Sequence, residues 1–301
     1  MRRAAPLIVV ALLGGCGGGD SVTSPSAPGP SSSDFHVQRA FRDLRAQVRI
    51  GPRPAGSAAS RREVHYIVDR LREAGVRDVR VQHPHLNVVT RIPGAEPGTV
   101  VAGAHHDTKD IPGFVGANDG ASGVALVLEL ARALPSRLDG PSIEMVFFDA
   151  EESPQGVSFE SGGVRGSEQF VRYALDGGRQ GSPPLAGVRA MVLFDMVADC
   201  DLAIPLEANS DSSLYAAFAD AAQTLSGSTA PFGGEAAGVL DDHTPFIQAG
   251  VPAVDLIDFD YGPGPLPGAW WHTLEDDLGH VCARSLGAVG APALAALPGI
   301  R

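Results

Sequence analysis

The apolar positions of this chain fall into helical and strand-like periods that alternate along its length. Residues 35–48 place Phe35, Ala40, Phe41, Leu44 and Val48 at helical spacing. After the turn-rich link 51–57, Ser60 is expected to cap a second helix whose Val64, Ile67, Val68 and Leu71 share one face, and Gly75 stops it. Short strands are expected over 79–81 and 86–92, a buried strand over 99–104, and a helix over 124–134 that is apolar nearly all round. The apolar run 142–148 reads as a second buried strand, followed by a polar, glycine-rich surface loop over 153–166. Helices over 167–174, 210–225, 244–249 and 283–297, with strands over 191–194 and 251–257, complete the pattern. Such alternation predicts an α/β fold: a single domain with a mostly parallel central β-sheet and helices on both faces.

Length and composition agree with one large core, since 44% of the 301 residues are hydrophobic. With 23 Lys and Arg against 35 Asp and Glu, the net charge of −12 argues against a nucleic-acid partner, which calls for basic patches. The first residues read as a targeting segment. Arg2 and Arg3 form a basic start, residues 6–13 an apolar stretch too short to span a bilayer, and Leu13-Gly14-Gly15-Cys16 follows. This resembles a bacterial lipoprotein signal, with residues 1–15 removed and Cys16 lipidated; an ordinary secretory signal is the alternative. Residues 16–34 then form a flexible tether and residues 35–301 the catalytic domain. The resemblance implies a protein of the bacterial cell envelope, anchored by lipid in the outer membrane and facing the periplasm, which meets membrane only through that anchor. Cys200 and Cys282 remain. An envelope compartment permits a disulfide, but their spacing leaves bonded and free thiols equally open.

Candidate chemistry clusters where the strands end. Asp149, Glu151 and Glu152 follow the apolar run that closes on Phe147-Phe148. Adjacent acids delivered by a core strand are costly to bury unless something pairs with them, and a metal ion is the usual partner. An isolated Glu-Glu pair is more often a solvated loop, and Asp119 before a helix is more often a plain N-cap. The pattern recurs, however. His105, Asp195 and Asp241 also stand at or near strand ends or in adjoining loops, and His272 in a later loop. In His105-x-Asp107, the carboxylate can return to orient a ring nitrogen or a neighbouring ligand. Mixed imidazole and carboxylate donors suit zinc, for which a catalytic site needs three protein ligands and an open position.

Jointly these segments resemble a known superfamily. Gly103-Ala104-His105-x-Asp107, Gly116-Ala117-Asn118-Asp119-x-Ala121-Ser122-Gly123, Phe147-x-Asp149-Ala150-Glu151-Glu152, Phe194-Asp195-Met196 and His272-Thr273 are similar to the zinc aminopeptidases that share a fold with animal-type glutaminyl cyclases. The aminopeptidase branch implies two zinc ions. His105 and Asp195 would hold one, Glu152 and His272 the other, with Asp119 between them and Glu151 as the base that activates a water. The cyclase branch implies one zinc, held by Asp119, Glu152 and His272. Glu151 then moves a proton, with Asp195 and Asp241 in its hydrogen-bond network, and Trp271 walls the substrate pocket. Asp107-Thr108-Lys109, the long loop after Glu152, Leu240-Asp241-Asp242-His243 and Trp271 before His272 lean towards the cyclase. Cyclases carry a second pocket tryptophan after the paired glutamates, where this chain offers Phe159. The resemblance therefore implies a zinc-dependent glutaminyl-peptide cyclotransferase acting on peptides or proteins with a free N-terminal glutamine. A di-zinc aminopeptidase is the alternative, and a non-catalytic binding protein the second alternative.

Overall fold

The structure is a computed structural model and describes residues 35–301. The signal over 1–15, the tether over 16–34 and the lipidation site Cys16 lie outside the described residues. Among those described, no helix is long and apolar enough to cross a membrane.

Among the described residues, eight α-helices and eight strands follow in the order α1 (Val37–Ile50), α2 (Ala58–Glu73), β1 (Val79–Val81), β2 (Val88–Ile92), β3 (Thr99–His105), α3 (Ala121–Ala133), β4 (Ser142–Phe148), α4 (Phe159–Gly162), α5 (Arg165–Leu175), β5 (Val188–Asp195), β6 (Ile204–Glu207), α6 (Ser212–Ser226), β7 (Phe232–Ala236), α7 (Thr244–Gln248), β8 (Ala253–Ile257) and α8 (Ala283–Ala296). The main sheet runs β1-β2-β4-β3-β5-β8. Its β4-β3-β5-β8 portion is parallel, whereas β2 pairs antiparallel with both β1 and β4. The expected single α/β domain with a mostly parallel sheet is the fold observed.

Strand alternation divides the core. On β4, Ile143, Met145 and Phe147 join the large cluster beneath α1, α2, α3, α6 and α8. Val146 and Phe148 point the other way, towards Phe170 of α5 and Phe246 of α7. Both faces being covered, the central strands need continuous apolar runs, and these made them visible in sequence. Helix α3 lies directly on the sheet because position 123 is glycine: a Cβ there would stand 2.1 Å from the Phe194 carbonyl oxygen.

Four expectations need correction. The cap of α2 is Ser57, whose side chain accepts from the Ser60 N–H, so Ser60 is the capped residue. Helix α3 starts at Ala121, three residues before the expected 124, with Gly120 at its cap. The loop after Glu152 contains the short helix α4. A second, two-stranded parallel sheet of β6 and β7 lies where only connections were expected. Its strands are short, and Gly233 and Gly234 carry no side chain to reveal a period. The two cysteines left open by sequence form the Cys200–Cys282 disulfide.

Candidate active site

The parallel strands bring their C-terminal ends together at one edge of the sheet, where α/β proteins place ligands. His105 is the last residue of β3 and Asp195 the last of β5, while Glu151 and Glu152 follow β4. Asp119 precedes α3. Because Gly120 occupies the cap position, the Asp119 carboxylate is not a helix cap and is directed at two histidines. Its Oδ1 lies 3.2 Å from His105 Nε2 and its Oδ2 3.2 Å from His272 Nε2. His105 Nε2 is also 3.2 Å from Asp195 Oδ1, and His272 Nε2 is 2.8 Å from Glu152 Oε1.

Two donor groups result, His105–Asp119–Asp195 and Asp119–Glu152–His272, each with its ligand atoms within 4.8 Å of one another. Imidazole with carboxylates in threes matches zinc, with a position left for a reactant. The electrostatics fit as well. Burial works against charge on His272, but Asp119 and Glu152 outweigh it and raise the imidazole to about 9. Burial likewise opposes charge on His105, and Asp195, Asp107 and Asp119 carry it well above the ordinary range. Such imidazoles hold a proton at the atom a metal would take, so binding of a metal there would release protons.

The backbone around the donors is bent. Ala150, Met196 and His272 have φ of 59°, 48° and 55°, in the left-handed region that few non-glycine residues adopt. Asp107 explains how the first bend is held. Its two carboxylate oxygens accept from the N–H of Glu151 at 3.1 Å and of Glu152 at 3.2 Å. Its Oδ1 also lies 3.7 Å from His105 Nδ1, beyond hydrogen-bond length. Asp107 therefore holds the backbone of the paired glutamates and not the His105 ring. Asp276 does the same for the bridging residue, accepting from the N–H of Asn118 at 2.7 Å and of Asp119 at 3.1 Å. Sequence reasoning passed over Asp276, since only its place four residues after His272 hinted at it. It also missed Lys109 as a contact: Lys109 Nζ lies 2.9 Å from Glu152 Oε2 and 2.8 Å from Ser153 Oγ.

Above the donors opens a cleft of about 1000 Å³. Glu151, Asp195, Asp241, Trp271 and Phe159 all line it. Burial, reinforced by Glu152, Asp241 and Asp242, pushes Glu151 well above the usual carboxylate range although His105 opposes it. Burial, with Asp195 and Asp242, does the same to Asp241, whose Oδ2 has no partner among the described residues. The Trp271 ring stacks on His272 with centroids 3.7 Å apart and meets Phe259 edge-on. Phe159 stands on α4 at the position offered for the second pocket aromatic.

Residues 87–297 match the model of peptidase family M28, more than half of the chain. The chain belongs to peptidase family M28. The curated glutaminyl-peptide cyclotransferase of Drosophila melanogaster is 29% identical over 285 residues, covering 82% of this chain and 75% of that protein. The same-named protein of Boiga irregularis is 26% identical over 224 residues, 64% of this chain; the match spans 59% of that relative's length, under two thirds of it. Among solved structures, a glutaminyl cyclase from an Acidobacteriales bacterium superposes with a TM-score of 0.79 at 31% identity, covering 94% of this chain and 99% of that one. The M28 match takes in Asp119, Glu151, Glu152, Asp195, Asp241 and His272 together.

Proposed function

We propose that this M28 chain is a glutaminyl-peptide cyclotransferase that converts N-terminal glutamine of peptides to pyroglutamate and releases ammonia. The observation that carries the reading is the cleft, in which two carboxyls raised by burial, Glu151 and Asp241, share a chamber with Trp271 and the Asp119–Glu152–His272 donors. A carboxyl that holds its proton more tightly than usual is suited to both taking and returning a proton. Asp119, Glu152 and His272 would hold one zinc ion, which when bound polarises the γ-carbonyl as a Lewis acid. Glu151 takes a proton from the substrate α-amine. The amine nitrogen bonds to the side-chain carbonyl carbon, Cδ, the Cδ–N bond of the amide breaks, and Glu151 returns the proton to the departing ammonia. Asp195 and Asp241 hold Glu151 in its proton-sharing network. The Trp271 indole packs against the alkyl part of the glutamine and limits water access. Because the reaction is intramolecular, holding the bent substrate supplies much of the acceleration.

One observation favours a second reading. His105, Asp119 and Asp195 form a complete donor group of their own, which a di-zinc aminopeptidase needs. Mass spectrometry of a glutamine-initiated peptide separates the readings. Loss of ammonia from an intact chain supports the cyclase; loss of the first residue establishes the peptidase. Neither change with zinc bound and a leucine-initiated panel also untouched leaves a binding protein. For the N-terminus, we propose lipidation at Cys16 and an outer-membrane location facing the periplasm. Expression with a Cys16→Ala change should release the protein from the membrane fraction.

A further inference from the structure

The cleft is several times larger than one glutamine side chain, and its walls extend well past the metal donors. Val157 and Leu266 stand at its mouth 42% and 62% exposed, as apolar surface without cover. Three carboxylates from three separate segments share that mouth. Asp110 lies in the loop after β3, Glu235 on β7 and Asp260 in the loop after β8. All three are exposed, and none belongs to an ion pair among the described residues. Lys109 is the one lysine or arginine lining the cleft among those residues, and Glu152 and Ser153 already engage its ammonium. The outer cleft thus carries unbalanced negative charge in a chain of net charge −12. Low-dielectric walls concentrate such a field towards the opening.

We infer that the outer cleft binds the substrate residues that follow the first one, and that it selects peptides carrying lysine or arginine there with apolar neighbours. This inference rests on the cyclase reading for the first residue. The apolar rim takes the aliphatic stems and apolar side chains, and Asp110, Glu235 and Asp260 face the cationic heads. Each exposed contact is weak and screened by salt, so the preference comes from their sum.

The test compares Gln-Leu-Lys-Lys-Leu, Gln-Leu-Gln-Gln-Leu and Gln-Leu-Glu-Glu-Leu amides with the zinc-loaded full chain. The expected result is a kcat/KM about tenfold higher for the lysine peptide than for the glutamate peptide at low salt, shrinking as salt is raised. In a triple variant, Asp110→Asn with Glu235→Gln and Asp260→Asn, the ratio should collapse towards one. A ratio near one in the unmutated protein, or an unchanged ratio in the triple variant, overturns the inference. The neutral peptide separates this from failure of the cyclase reading, which shows as no ammonia release from any of the three. Fluorescence anisotropy of labelled lysine and glutamate peptides then reads the rim by itself, and equal binding of the two overturns the inference there too.

Discussion

Glu151 shows how one side chain draws its chemistry from its surroundings. It is buried, His105 Nδ1 lies 3.9 Å from its Oε2, and its neighbours are mostly acids. Replacing it with glutamine keeps shape and hydrogen-bonding capacity but removes the transferable proton. Glu151→Gln should therefore lower ammonia release by about 10²–10⁴-fold while zinc content stays at the unmutated level. Activity within about threefold of the unmutated enzyme would remove Glu151 from the proton-transfer step. A second raised carboxyl lies outside the site and serves as a stability probe. Burial lifts Glu144 of β4 to about 8, with Arg91, 3.7 Å away, opposing. Between the ordinary value of 4.5 and about 8, the unfolded chain has released this proton while the folded chain retains it. Rising pH then favours unfolding, so the contribution present below 4.5 is lost by about 8. Glu144→Gln removes the slope. The urea midpoint of the variant should gain on the unmutated protein between about pH 5 and about pH 8, and parallel curves would contradict the raised carboxyl.

At the scale of elements, the site depends on strand ends and on the clamps that hold their loops. The central strands were legible because burial on both faces demands apolar runs such as Val100–Ala104 and Met145–Phe148. The ligand-type residues stood out because each follows such a run or an adjoining glycine turn. What sequence hid were contacts between distant segments. Nothing local to Asp107 shows that both its oxygens meet the Glu151 and Glu152 amides, 44 and 45 residues later. Strands β6 and β7 escaped notice for a related reason: β7 is mostly exposed and its pairing with β6 spans a helix. The clamp has a measurable consequence. Asn at 107 keeps one acceptor oxygen but turns an NH₂ towards the other amide, so the Glu151–Glu152 turn loses a hydrogen bond and meets a donor. Zinc affinity of Asp107→Asn, read by chelator competition, should fall about 10- to 100-fold with the far-ultraviolet circular dichroism unchanged. An unaltered affinity would mean that the left-handed Ala150 turn holds without the clamp.

Across the whole molecule, two covalently joined segments frame the site. The Cys200–Cys282 disulfide connects the loop after β5, which begins just past Asp195, to the segment that leads from His272 into α8. Backbone contacts run alongside it: the Cys282 N–H donates to the Ala198 carbonyl at 2.8 Å, and Asp199 bridges Val281. The covalent link therefore duplicates a frame that hydrogen bonds already define. His272 has a further tie of its own, since Asp276 in the same loop holds the Asn118 and Asp119 amides. A loop closed across 82 residues restricts the unfolded chain by about 4.5 kcal/mol in the chain-entropy account. The double change Cys200→Ser with Cys282→Ser should thus lower Tm by several degrees, yet leave zinc content and ammonia release at about 25 °C close to those of the unmutated protein. Zinc loss at that temperature would mean that the disulfide, and not the Asp276 clamp, keeps His272 facing Asp119.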